Sequence, residues 1–404
     1  MVEQHHFIPI SSQNLVSACL NRIDSTDDKQ RIADVAERLQ ALLHQEFHRT
    51  QTALIEAYSP IDPDLDTVSI APQAEETFES DHFKGLFEGV LKQANFIRLS
   101  RDDLQAALKE SSLFNIRLDI NFDDFDDALL YCRGVNEKTE TIAQWFGLRK
   151  KTITFTNYDR VVLYLRFKAV NTLGDNAQLL GRSGRTMLKL FRNVPKADLE
   201  MLFPNTRIGM RTVDKLLIGV PALVSGVVVL TTKLGATLVL LGGLFGFWLG
   251  LHQKPVELNV ATLLALGAGL GTLAGYCWKQ FSTFKNRKLR FAQALTQNLY
   301  FKSLDNNAGV FYRLIAEAED EEFKEAFLAW FFLLHTPELS HAADLDSAIE
   351  QWFKALTTKA NIDFEIEDAL NKLERLGLAE NNKGLWTAIS AEEAQAHLIS
   401  LYSA

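Results

Sequence analysis

Residues 216–278 read LLIGVPALVSGVVVLTTKLGATLVLLGGLFGFWLGLHQKPVELNVATLLALGAGLGTLAGYCW. These 63 residues hold three charges, Lys233, Lys254 and Glu257, where the 23% charged content of the whole chain would place about 14. Three apolar runs are legible, at 216–232, 234–251 and 258–278. A helix needs ~20 apolar residues to cross ~30 Å of hydrocarbon. The stretch therefore predicts a membrane segment over 207–283, with spans at about 235–251 and 258–278. Gly242, Gly246 and Gly250 on one span, and Gly267, Gly271 and Gly275 on the other, recur every fourth residue. Each triplet offers a stripe free of Cβ atoms, against which an antiparallel hairpin packs closely. The first run is interrupted by Pro221 and reads either as a third span or as a re-entrant segment.

Working outward, Arg207, Arg211 and Lys215 precede the apolar block, and Lys279, Lys285, Arg287, Lys288 and Arg290 follow it. Basic flanks on both sides place both soluble parts in the cytoplasm and the second group of cations at lipid headgroups, anionic ones included. Residues 1–214 hold 26 basic and 31 acidic side chains, and residues 285–404 hold 12 and 19. Acidic flanks repel nucleic acid, which is discounted as a partner. Cys19, Cys132 and Cys277 lie too far apart for a zinc spacing or a disulfide framework. Residues 1–10 show neither a secretory signal nor an Arg-rich transit peptide, so the expectation is an integral protein of a bacterial inner membrane.

The flanks divide by period. Residues 1–58 read as an amphipathic helical region: Ser25 and Asp28 resemble a capping box, and Ile32, Val35, Leu39, Leu42, Leu43, Phe47 and Leu54 follow at helical spacing. Residues 59–82, with Pro60, Pro63 and Pro72, read as a linker. A mixed α/β domain is expected over 83–206, with strands near 114–120, 128–133, 152–155, 160–168 and 185–192, and a helix opened by Pro195. Residues 284–404 read as a mainly helical domain, winged-helix-like from about 344, where a helix over 363–376 precedes a hairpin across Asn381, Asn382, Lys383 and Gly384. That helix is too acidic to enter a DNA groove, and the module is expected to bind protein. The class predicted is an α+β membrane protein with a glycine-rich transmembrane hairpin.

No catalytic motif emerges. Asp123, Asp124, Asp126 and Asp127 surround Phe122 and Phe125, but the central Gly and closing Glu of a calcium loop are missing, and the cluster reads as a turn. His44 and His48 lack the Glu that follows the first His in HExxH, since Gln45 stands there. In GRSGRT, residues 181–186, the Lys of a phosphate loop is absent. No cofactor or metal is implied, and the reading leans away from an enzyme.

Four stretches carry a resemblance: NFDDFDDALLYCRG (121–134), WFGLRKK (145–151), LKLFRNVPKADLEMLFPNT (188–206) and KLLIGVP (215–221). They resemble the family of unknown function that includes transmembrane protein 143, from about residue 96 to about 313. The resemblance implies a membrane protein of uncharacterised activity and brings no catalytic residues. Asp123, Asp124, Asp126, Arg133, Lys189, Arg192, Lys196 and Asp198 are its polar motif positions, of unassigned role. The leading functional expectation is a membrane-anchored scaffold or adaptor, with a protein partner or a homo-oligomer as its target. The alternatives are a channel or transport component, and a membrane-surface enzyme whose pocket converges on Arg133, Lys189 and Asp198.

Overall fold

The computed structural model describes residues 7–66, 76–100, 117–144, 149–169, 182–209, 235–250, 259–356 and 362–402. Helix α1 (Ser12–Leu20) leads into the 33-residue α2 (Thr26–Tyr58), whose first turn is closed by the Ser25 hydroxyl accepting the Asp28 N–H at 3.3 Å. Then come α3 (Glu76–Gln93), β1 (Ile97–Arg98), β2 (Arg117–Asp119), β3 (Phe125–Gln144), β4 (Arg149–Phe167), β5 (Thr186–Pro195) and β6 (Arg207–Gly209). Helices α4 (Gly235–Trp248) and α5 (Val260–Lys302) follow, then β7 (Ser303–Asn306) and α6 (Ala308–His335). The chain closes with α7 (Ala342–Leu356), α8 (Ile366–Arg375), the hairpin β8 (Ala379–Asn382) and β9 (Leu385–Ala388), and α9 (Ala391–Tyr402).

Two compact units result. One comprises Met1–Glu110, Asn121–Leu199 and Lys302–Ala404; the other comprises Ser111–Ile120 and Glu200–Phe301. The first unit holds an antiparallel sheet in the order β1-β3-β4-β5-β7. Leu129, Tyr131, Val162, Tyr164, Leu188 and Leu190 point from it into a core shared with α2, α3 and the first half of α6. Their neighbours Leu130, Val161, Leu163 and Leu165 are buried as well. Both faces are covered, which is why 161–165, VVLYL, reads as an unbroken apolar run. A second core joins α1 and the first half of α2 to the second half of α6 and to α7, α8, the β8–β9 hairpin and α9, around Phe323, Phe327, Trp330, Phe331 and Phe353. Helices α2 and α6 thus run through both cores, so residues from both ends of the chain fold as one body.

The second unit contains the β2–β6 pair, with Leu118 opposite Ile208, and the two glycine-rich helices. Here the expected fold class and localisation are corrected. Among the described residues no helix is long and apolar enough to cross a membrane, so neither the transmembrane hairpin nor integral-membrane placement stands. Helix α4 has 14 residues, about 21 Å at 1.5 Å per residue. Helix α5 has 43 residues, and Lys279, Lys285, Arg287, Lys288 and Arg290 follow its apolar start. The run expected at 258–278 and the basic helix after it are one continuous element. The first apolar run, 216–232, lies outside the described residues. The architecture is mixed α/β.

Other expectations shift locally. Strands β3 and β4 extend to 20 and 19 residues and pair from Phe125↔Phe167 out to Gln144↔Arg149. Pro195 ends β5 rather than opening an α-helix, and residues 196–202 wind as a 3-10 turn. Residues 76–82, read as linker, already belong to α3.

Candidate functional site

The most concentrated chemistry in the first unit begins on α6. Leu314, Ala318, Glu321, Glu325 and Leu328 recur at spacings of 4, 3, 4 and 3, so two carboxylates occupy the helix stripe that apolar residues hold above and below. Glu321 and Lys324 are each 1% exposed. Buried charges survive only when paired and hydrogen-bonded, and this pair is both. Lys324 Nζ contacts Glu321 Oε1, lies 3.0 Å from Asp320, and donates to the Ile8 carbonyl at 2.8 Å. Glu321 Oε2 accepts the Ile8 N–H at 3.0 Å. Burial raises the Glu321 carboxyl above its ordinary pKa, while Lys324 pulls it back.

Arg133 arrives from β3, on the sheet face that Leu129 and Tyr131 share. Its guanidinium meets Glu317 at 2.5 Å and donates to the Ala94 carbonyl at 3.0 Å. It also lies over the rings of Phe7, at 4.3 Å, and Phe96, at 4.8 Å. Burial lowers its pKa, and Glu317 opposes that shift. Arg160 of β4 stands 3.9 Å from the other Glu317 oxygen. One helical turn on, Lys372 of α8 contacts Glu322 and lies 3.4 Å from Glu325, which also accepts from Asn95 at 3.2 Å. Burial pushes Glu325 up to about 7, with Lys372 acting against the shift. Glu317, Asp320, Glu321, Glu322 and Glu325 thus share Arg133, Arg160, Lys324 and Lys372. Five acids meet four bases. At the rim His44 sits 3.1 Å from Glu319, and Arg375 forks onto Glu46 at 2.8 and 3.0 Å.

A second polar cluster ties the end of α2 to β5. Asn307, at φ 47°, donates its backbone N–H to the Leu188 carbonyl at 2.9 Å and accepts the Leu188 N–H on its side chain at 3.1 Å. Its amide also reaches Asp64, while the Tyr58 hydroxyl donates to the Thr186 carbonyl at 2.8 Å. These bonds hold elements together, and no nucleophile with an adjacent base stands among them.

Of the motif positions, Arg133 enters the buried network. Lys189 points to the opposite sheet face, because Arg160 pairs with Arg192 and Lys189 is three residues away from that partner. Burial lowers its pKa. Arg192 is exposed, Lys196 half-buried, and Asp198 buried with Lys302 at 3.9 Å. Asp123 and Asp126 are exposed, whereas Asp124 is buried in a 3-10 turn and accepts from Asn121 at 3.0 Å. Among the described residues no group of three or more His, Cys, Asp or Glu is placed to hold a metal. Gly250 closes α4 at φ 74°, and a Cβ at Gly242, Gly267, Gly271 or Gly275 would meet nothing within 4 Å. A groove of about 240 Å³ between α2 and α9 is lined by Asp34, Glu37, Arg38, Ala41 and Leu398.

Residues 158–309 match the family described as "Protein of unknown function (DUF3754)". The chain contains a DUF3754 domain. This DUF3754 domain opens at Tyr158 in β4, takes in β5, β6, α4, α5 and β7, and ends at Gly309 in the first turn of α6. Nothing in the match links it to transmembrane protein 143 or to membranes. No solved structure matches the chain. Arg160, Lys189, Asp198 and Asn307 fall inside the DUF3754 domain, whereas Arg133 and the α6 carboxylates lie outside it.

Sequence reasoning did not single out Glu317, Glu321, Lys324, Glu325 or Lys372. The signal was present: acids recurring on an apolar helix stripe are buried acids, and buried acids need cations from elsewhere in the chain.

Proposed function

We propose that the chain is a scaffold or adaptor that assembles with protein and performs no chemistry of its own. The observation that carries this reading is the apolar surface of α4 and α5, where Val239, Phe245, Trp248, Leu264, Trp278 and Phe281 are each more than half exposed. Apolar side chains exposed in such concentration mark a surface that associates. The first unit supports the same reading, since its buried ionisable groups engage one another. The acidic flanks argue against nucleic acid as the target.

Sedimentation velocity on the purified full chain, alone and after chemical crosslinking in its native cell, tests the reading. The expected result is a stoichiometric oligomer or a stoichiometric protein complex. Combining Phe245→Gln, Trp248→Gln, Trp278→Gln and Phe281→Gln should weaken association at least about 100-fold, since a large apolar side chain buried at an interface contributes ~1.5–3 kcal/mol. A monodisperse monomer with no stoichiometric protein attached would sink it.

A further inference from the structure

The contacts around Phe7 and Ile8 have the form of a bound peptide. Residues 7–10 are neither helix nor strand. Even so, Ile8 is 1% exposed and both of its backbone groups are read: the N–H by Glu321 and the carbonyl by Lys324. The remaining capacity of the pair is already taken. Glu321 Oε1 faces Lys324, and Lys324 also faces Asp320, which in turn accepts the Ser12 hydroxyl. What the pair offers outward is one acceptor beside one donor, the complement of a single residue of extended backbone. The Phe7 ring is gripped by cations, Arg133 at 4.3 Å and Lys324 at 5.2 Å. The Ile8 side chain enters the core of α1, α2 and α6. Main-chain bonds supply affinity and side-chain pockets supply selectivity in strand-type peptide recognition. Both parts are present here, built from α6 and β3.

We propose that the cradle formed by Glu321, Lys324 and Arg133 is a peptide-binding site that the N-terminal segment of the chain occupies in cis. Its external ligand is an extended protein segment carrying an aromatic residue followed by a branched aliphatic one. The seated sequence, Phe7-Ile8-Pro9, defines that chemistry. Pro9 has no N–H, so the backbone reading stops at Ile8. Withdrawing the segment leaves a donor and an acceptor unpaired at groups only 1% exposed. The site therefore exchanges one peptide for another instead of standing open. This inference goes beyond association through α4 and α5, and its test reads peptide binding at the Ile8 cradle.

The probe is a fluorescein-labelled peptide of residues 3–14, EQHHFIPISSQN, and the protein is the full chain carrying Phe7→Ser and Ile8→Ser, which loosens the resident segment. Fluorescence anisotropy is expected to show saturable binding to this variant, at least about tenfold weaker binding to the wild-type chain, and at least about tenfold loss when the peptide bears an N-methyl at its Ile or Ala for its Phe. Absence of binding to a variant with wild-type circular dichroism, equal binding of the N-methyl peptide, or equal binding to the wild type would overturn the proposal. If the double variant does not fold, the wild-type chain is challenged with excess unlabelled peptide and read by hydrogen–deuterium exchange. Loss of protection across residues 7–11 supports exchange, and unchanged protection refutes it. A swapped dimer, with the segment of one copy seated in another and no peptide bound, also refutes an external ligand.

Discussion

Arg133 is the residue on which most of the buried network turns, and its guanidinium shape explains why. One arm of the fork reaches the Ala94 carbonyl, the other reaches Glu317, and the flat faces take Phe7 and Phe96. A lysine presents a point charge and serves one of these sites at a time. Arg133→Met leaves Glu317 without its nearest cation and should cost about 3–5 kcal/mol in urea unfolding, with Arg133→Lys recovering little. Arg133→Met combined with Glu317→Leu should recover about half the loss, because the orphaned charge is then gone. Glu325 makes a different prediction, through pH. Its folded pKa is raised from 4.5 to about 7 by burial, so the folded state holds a proton that the unfolded chain releases. Its contribution is complete below pH 4.5 and is lost as pH rises through about 7, a change of order 3 kcal/mol. Urea denaturation from pH 5 to 8 should show wild-type stability falling relative to Glu325→Gln, whose amide cannot titrate. Parallel curves for the two proteins would show that Glu325 keeps one protonation state across that range.

Among elements, legibility followed how local the determining interaction is. The start of α2 is written within four residues, as Ser25 caps Asp28, and the apolar residues expected along it are buried from Ile32 to Leu54. The terminal hairpin is equally local: Lys383 and Gly384 both take positive φ between β8 and β9, as a tight two-residue turn requires. Strand β3 is legible only over 128–133, in its buried half, whereas β4 is legible as two separate runs, 152–155 and 160–168, of one 19-residue strand. The outer half of β3, NEKTETIAQ, is polar, and pairing with RKKTITFTN of β4 sustains it without a period-2 apolar pattern of its own. Gly377 offers a test of such local logic. It ends α8 at φ 67°, with its N–H on the Glu374 carbonyl at 3.0 Å and the Leu378 N–H on the Leu373 carbonyl at 2.8 Å. A Cβ there would sit 2.6 Å from Nε2 of His397 on α9. Gly377→Ala should therefore cost more than the ~1 kcal/mol of the left-handed backbone alone. Adding His397→Ala should return the steric part and leave the backbone part, which thermal unfolding of the single and double variants separates.

At the scale of the molecule, the misreading of residues 207–283 and the missed charged network have one cause: composition reports what a segment is made of and not what surrounds it. A Cβ at Gly242, Gly267, Gly271 or Gly275 would meet nothing within 4 Å, and Gly250 serves as the stop of a 14-residue helix. The cradle joins Ile8 to Glu321, 313 residues apart in the chain, and Arg133 to Glu317, 184 apart, separations that no local pattern encodes. Such closure makes the two ends of the chain interdependent. The apolar face of α2 around Val35, Leu39 and Leu43 lies in the same core as Phe327, Trp330, Leu345, Ile349, Phe353, Leu370, Leu373 and Leu398. Removing residues 342–404 uncovers that face and the facing side of α6 together. Several large apolar side chains at ~1.5–3 kcal/mol each exceed the 5–15 kcal/mol by which a typical fold is stable. Because α2 and α6 continue into the sheet core, the damage should not stop at the helical half. A chain ending at residue 341 is expected to lose its cooperative thermal transition, to bind a hydrophobic dye, and to be cleaved by trypsin within α2 at Arg31, Arg38 and Arg49 at least about tenfold faster than the full chain, since cleavage follows the population of the opened state. A sharp transition within a few degrees of the full-length value, with α2 still protected, would mean that the sheet core holds α2 and α6 without the C-terminal helices, and that the first unit is two independent bodies instead of one.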